Sequence, residues 1–119
     1  MAWKFTSDKA VYLQIADRIT KSVLSGEYQS GEQLPTVRQL ALEAAVNPNT
    51  VQHAFAELEN EGIIISKGTL GRFVTEDTHV VDVCRKKMAE RLARTFIDNM
   101  EQLSLSKEQV IALLEEVTK

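Results

Sequence analysis

Two closely spaced helix starts constrain this chain more than any other feature. Thr36, with Gln39 three residues later, has the form of a capping box. In that motif the threonine hydroxyl accepts a backbone N–H and the glutamine side chain reaches back to the cap's own N–H. Asn47-Pro48 is the second start. Asparagine is a favoured cap, and proline at the first helical position forfeits no intrahelical hydrogen bond. Leu40, Ala41 and Ala44 form the inward face of the first of these helices, and the Val46-Asn47 turn follows without a glycine. The second helix is expected over Pro48 to Glu61, with Gly62 as its left-handed stop. The result is two short helices joined by a tight turn, and the remaining elements read as a frame for that pair.

Winding the second helix at about 3.6 residues per turn puts Val51, Ala54, Phe55 and Leu58 on one side. Asn49, His53, Ala56 and Asn60 face the other way, flanked by Thr50 and Gln52. The first half of this helix carries no carboxylate, whereas Glu57, Glu59 and Glu61 crowd its far end. The helix dipole is negative there and disfavours each acid by about a few tenths of a kcal/mol. The N-terminal half is left favourable for an anion.

The flanking segments follow from the same rules. Trp3 and Phe5, two apart, point to one side of an extended arm that packs on the body. Tyr12, Ile15, Ala16, Ile19 and Val23 follow helical spacing over Val11 to Leu24, and Gly26 stops that helix. Tyr28 to Glu32 is a turn region, and Gln33-Leu34 is a short strand ahead of Pro35. Beyond Gly62, Ile63-Ile64-Ile65, a Gly68–Gly71 turn and Phe73-Val74 predict a hairpin. Glu76-Asp77-Thr78 marks a boundary, giving segments 1–75 and 76–119. From His79 a long helix carries Cys84, Met88, Leu92, Phe96 and Met100 at four-residue spacing. Ser106 and Gln109 repeat the capping box before a last amphipathic helix with Val110, Ile111, Leu113, Leu114 and Val117. The fold class is therefore mainly α with a small β-hairpin wing: a winged helix-turn-helix followed by a two-helix segment.

Bulk properties narrow the function classes. With 119 residues, 44% hydrophobic and 26% charged, the chain has the size and make-up of one globular domain with an appendage. No apolar run approaches the length of a membrane span and no signal peptide is visible, so no membrane partner and a cytoplasmic location are expected. The single cysteine, Cys84, forms no internal disulfide and lies on an apolar stripe. His53, His79 and Cys84 have no recognised ligand spacing, so neither a metal nor another cofactor is expected. No paired carboxylates, nucleophile–base set or phosphate-cradling glycine loop is visible, and catalytic residues are not expected. The formal net charge of −3, with seven Lys/Arg against eight Asp/Glu from Met1 to Thr75, argues against indiscriminate nucleic-acid binding. Specific binding through a local patch is compatible with it.

The residues that mark these elements also resemble one family. Val11-Tyr12-Leu13-Gln14-Ile15-Ala16, Gly31, Leu34-Pro35-Thr36-Val37-Arg38-Gln39-Leu40-Ala41, Val46-Asn47-Pro48-Asn49-Thr50-Val51, Leu58-Glu59-Asn60-Glu61-Gly62, Gly71 and Phe73-Val74 are similar to the GntR family of bacterial transcription regulators. The Asn-Pro-Asn-Thr-Val form and the short tail resemble its YtrA-type branch. Two positions depart from the family pattern. Ala10 stands where proline usually precedes the tyrosine, and Gly68-Thr69-Leu70-Gly71-Arg72 lacks the basic residue usual at the wing tip. The resemblance implies a regulator of transcription, most simply a repressor, that binds a palindromic operator as a homodimer and has no large effector domain.

Under that reading Asn49 and Gln52 reach base edges, where an Asn or Gln amide pairs bidentately with adenine. Thr36, Arg38 and Thr50 suit phosphate or base contacts, and Asn47 belongs to the same surface. His53 faces outward, either toward DNA or idle in solvent. Lys67 and Arg72 flank the hairpin turn and are placed for backbone phosphates. The Met88-Leu92-Phe96-Met100 stripe, with Leu113 and Leu114, is too long for the final helix to cover, so pairing with a second chain is the economical solution. A two-fold dimer would set two recognition helices about 34–36 Å apart, or a multiple of that. The stripe could instead pack on its own winged segment or line a cavity for a small-molecule effector. A winged-helix module that binds protein rather than DNA is the competing function, and the acidic balance suits it.

Overall fold

The computed structural model describes residues 2–119. The elements run α1 (Val11–Leu24), α2 (Val37–Ala44), α3 (Pro48–Glu61), β1 (Ile64–Ser66), a 3-10 turn (Gly68–Leu70), β2 (Arg72–Val74), α4 (Thr78–Gln102) and α5 (Lys107–Val117). They pack as two compact units, Met1–Arg85 and Lys86–Lys119. Among the described residues no helix is long and apolar enough to cross a membrane.

In the first unit α3 lies against α1 and α2, and their apolar stripes make one core. Ile15, Ile19, Leu40, Val51, Phe55, Leu58, Ile63 and Ile64 are its fully buried large side chains. The Thr36 hydroxyl accepts from the Gln39 N–H at 3.1 Å and the Gln39 amide oxygen accepts from the Thr36 N–H at 2.8 Å, so the capping box closes. α2 ends on Ala45, in the left-handed region at φ +59°. That conformation permits the tight turn into α3 without a glycine. At the other end of α3 the Gly62 N–H bonds to the Glu59 carbonyl and the Ile63 N–H to the Leu58 carbonyl. This Schellman arrangement satisfies carbonyls that the helix leaves open. It also starts β1 one residue later than the isoleucine run predicts.

β1 and β2 pair antiparallel with Ile64 opposite Val74, Ile65 opposite Phe73 and Ser66 opposite Arg72. The short strand expected at Gln33-Leu34 is a single bridge from Gln33 to Phe73, extended by the Leu34 N–H on the Arg72 carbonyl at 2.8 Å. Pro35 has no N–H to continue the ladder. The Gln33 side chain also donates to the Leu70 carbonyl at 2.7 Å, tying the wing tip to the segment that precedes α2.

Ala10 offers α1 no side-chain cap. Gln14 compensates from inside the helix: its amide donates to the Thr6 and Lys9 carbonyls and accepts from the Thr6 N–H at 3.0 Å. Lys9 pairs with Asp17 at 2.6 Å. The Trp3–Phe5 arm docks as expected, with the Arg18 guanidinium 3.9 Å from the Trp3 ring centre.

α4 begins on Thr78, because the Asp77 carboxylate accepts from the His79 N–H at 3.0 Å. Its first turns belong to the first unit: Val80 and Val81 pack on the core and Cys84 is buried in it. The unit therefore runs about ten residues past the sequence boundary at 75/76, to Arg85. The second unit contains the remainder of α4 and α5. Ser106 and Gln109 close their capping box at 3.2 and 2.8 Å, and Val110 is buried. Met88, Phe96 and Met100 are half-buried. Leu92 is 51% exposed, Leu113 36% and Leu114 41%.

Candidate nucleic-acid interface

The exposed side of α3 is built from its cap outward. The Asn47 carboxamide oxygen accepts from the Asn49 N–H at 2.8 Å, and Pro48 occupies the first helical position. The Asn47 oxygen is thus engaged in holding the helix end, which fixes where Asn49 stands. Asn49 is exposed and Thr50 half-buried, and Val51 between this surface and the core is fully buried. The first turn has no acidic residue, so the positive end of the helix dipole stands uncompensated beside these amides.

His53 is exposed, and it has a ring partner. Its ring stacks on Tyr12 of α1 with centroids 3.5 Å apart and planes 8° from parallel. Val11, Tyr12, Asn49, Thr50 and His53 line one shallow depression between α1 and α3. The stack braces α3 against α1, a contact that helical periodicity does not reveal because the two residues lie on different elements.

The wing carries two of the expected contact residues in different states. Lys67 is exposed, its ammonium 4.7 Å from the Phe73 ring centre. Arg72 is turned inward: Nε donates to Glu59 at 2.6 Å, Nη2 donates to the Gln52 amide oxygen at 3.1 Å, and the guanidinium carbon lies 4.9 Å from the Phe55 ring centre. The sequence expectation of a phosphate contact by Arg72 meets this arrangement, in which Glu59 already supplies its counter-charge. Glu59, expected only as an acid at the wrong end of a helix, gains a cation in return. Neither partnership shows in the sequence, since it depends on the register that sets Arg72 opposite Ser66.

Thr36 and Arg38 occupy the start of α2. The threonine hydroxyl is committed to the capping box. Arg38 is exposed, and among the described residues no carboxylate is paired with it. The expected surface thus comprises two uncompensated helix starts, exposed amides at Asn49 and Gln52, and the cations Arg38 and Lys67. Tyr12 and Gln33 support it, and sequence reasoning gave neither that part.

The family model described as bacterial regulatory proteins, gntR family, matches residues 11–74, the span from α1 to the end of β2. The uncharacterised HTH-type transcriptional regulator YhcF of Bacillus subtilis is 36% identical over 108 residues, 91% of this chain and 89% of that protein. The HTH-type transcriptional repressor YtrA of Bacillus subtilis is 36% identical over 94 residues, 77% of this chain and 72% of its own. Among solved structures, a GntR family transcriptional regulator from Listeria monocytogenes superposes with a TM-score of 0.86 at 36% identity, over 94% of this chain and 98% of that one.

Proposed function

This chain belongs to the GntR family of bacterial regulatory proteins, in its YtrA-type branch, and we propose that it represses transcription by binding a two-fold-symmetric DNA operator as a homodimer. Its relatives are transcriptional regulators rather than enzymes. The observation that carries the proposal is the carboxylate-free, exposed start of α3, presenting Asn49 and Gln52 on a helix whose opposite face is buried in the core. Such a helix start attracts phosphate through its dipole, and its side-chain amides read base edges. Asn49 keeps both its carbonyl and its amine available for bidentate adenine pairing.

Thr36, Arg38, Asn47, Thr50 and Lys67 serve as positioning contacts to the sugar–phosphate backbone, and His53 holds α3 at the right depth through Tyr12. Exposed apolar residues support the dimer. Leu92, Leu113 and Leu114 stand open to solvent on α4 and α5, and a second copy would cover them. That the related YtrA is named a repressor supports repression here. A regulator of this kind acts in the cytoplasm.

In-vitro selection from random duplex DNA tests the proposal. An inverted repeat with one defined half-site spacing should emerge, and Asn49→Ala should lower preference at one base pair per half-site by about 1–3 kcal/mol. Recovery of no symmetric site, or equal affinity for selected and random duplexes, would reject DNA reading and leave a protein-binding module as the use of the fold.

A further inference from the structure

We propose that Arg72 acts as a specificity-determining positioning residue, orienting the Gln52 amide toward base acceptors without itself touching DNA. The inference rests on the DNA-reading role of α3 proposed above. A guanidinium has only donors. The Gln52 atom 3.1 Å from Arg72 Nη2 must therefore be the carbonyl oxygen, and the amide cannot be flipped without losing the bond. Gln52 Nε2 then lies on the opposite side of the amide group from Arg72.

Arg72 has little freedom to release its hold. Glu59 takes its Nε at 2.6 Å, with both side chains about two-thirds covered, and the Phe55 ring lies under the guanidinium. The backbone beneath is fixed too, because Arg72 pairs with Ser66 in the hairpin and its carbonyl accepts from Leu34. Charge points the same way. Glu59 neutralises the guanidinium, so the pair together offers a phosphate little attraction.

The consequence is chemical. An unrestrained glutamine reads adenine by accepting from N6 and donating to N7. With its carbonyl turned to the wing, Gln52 faces the groove as a donor alone. Guanine presents two acceptors, O6 and N7, and no donor on its major-groove edge. Gln52 held this way favours guanine over adenine, so the wing sets what the recognition helix reads.

Selection on the full chain, run in parallel for the native protein, Arg72→Leu, Arg72→Lys and Gln52→Ala, tests this. The native protein should enrich guanine at the base pair whose preference Gln52→Ala flattens. Arg72→Leu should reduce guanine-over-adenine preference there by about two- to tenfold, the worth of one hydrogen bond, with the preference at every other position unchanged; the Glu59 carboxylate it leaves bare weakens binding to all duplexes alike. Arg72→Lys keeps the charge but lacks the planar fork that bridges Glu59 and Gln52, and it should show the same local loss. Thermal melting of each variant checks the fold; if the leucine variant does not fold, the lysine variant alone decides. A native-like preference in either folded variant overturns the inference while leaving DNA reading intact. So does a uniform loss across all sequences, random duplex included, with no local change in guanine-over-adenine preference, which is the signature of a phosphate contact. If the native protein selects no symmetric site, the inference falls together with the proposed function.

Discussion

Ala45 ends α2 at φ +59°, a conformation that crowds its Cβ against the following carbonyl. Replacing it by glycine removes that crowding at the point where the chain turns into α3. Ala45→Gly should raise unfolding free energy by about 1 kcal/mol, read as a shift of the denaturant midpoint with unchanged slope. A destabilised variant would mean that the gain in unfolded-chain entropy outweighs the relief. Much at this scale was legible beforehand. Thr36, Gln39, Asn47, Pro48 and Gly62 each announce their place because capping is a local interaction. Gln14 is the contrary case, because its amide reaches back to Thr6 and Lys9, where no pattern rule looks.

At the scale of elements, the hairpin shows how tightly the wing is anchored. Gly71 sits at φ +109°, and a Cβ placed there would come within 2.9 Å of Gln33 Nε2. Gly71→Ala should therefore cost about 1–3 kcal/mol of stability and loosen the Gln33 bond to the Leu70 carbonyl. Faster amide hydrogen exchange confined to the hairpin would register that loosening, and unchanged exchange would count against Gln33 as the anchor. The helices were readable in advance because each combines a start signal with a periodic apolar face. α3 spans Pro48–Glu61 as its cap and its stop require. The inward turn of Arg72 was not readable. It depends on which residue of a three-residue strand faces α3, and sequence spacing carries no trace of that choice. The stacking of His53 on Tyr12 was hidden for the same reason, since it needs the packing of two helices rather than the period of one.

For the whole molecule, the proposed assembly turns on the exposed apolar positions of the second unit. Phe96, half-buried within one chain, lies on the stripe that includes the open Leu92. A carboxylate at this position would have to be desolvated in a paired interface. Phe96→Asp should yield monomers by sedimentation, with operator affinity reduced at least about tenfold because two half-sites can no longer be held together, a loss of effective concentration rather than of contacts. A dimer unaffected by the change would remove this stripe from the interface.

The winged unit spends three of its cations on itself: Lys9 on Asp17, Arg18 on Trp3 and Arg72 on Glu59. Arg38 and Lys67 are what the proposed surface has left to displace condensed counterions from the duplex. Two neutralised phosphates per subunit correspond to a slope of about −4 for a dimer when log affinity is plotted against log salt. A regulator so thinly charged would spend little time on bulk chromosomal DNA, and its hold on a cognate site would survive swings in cellular potassium.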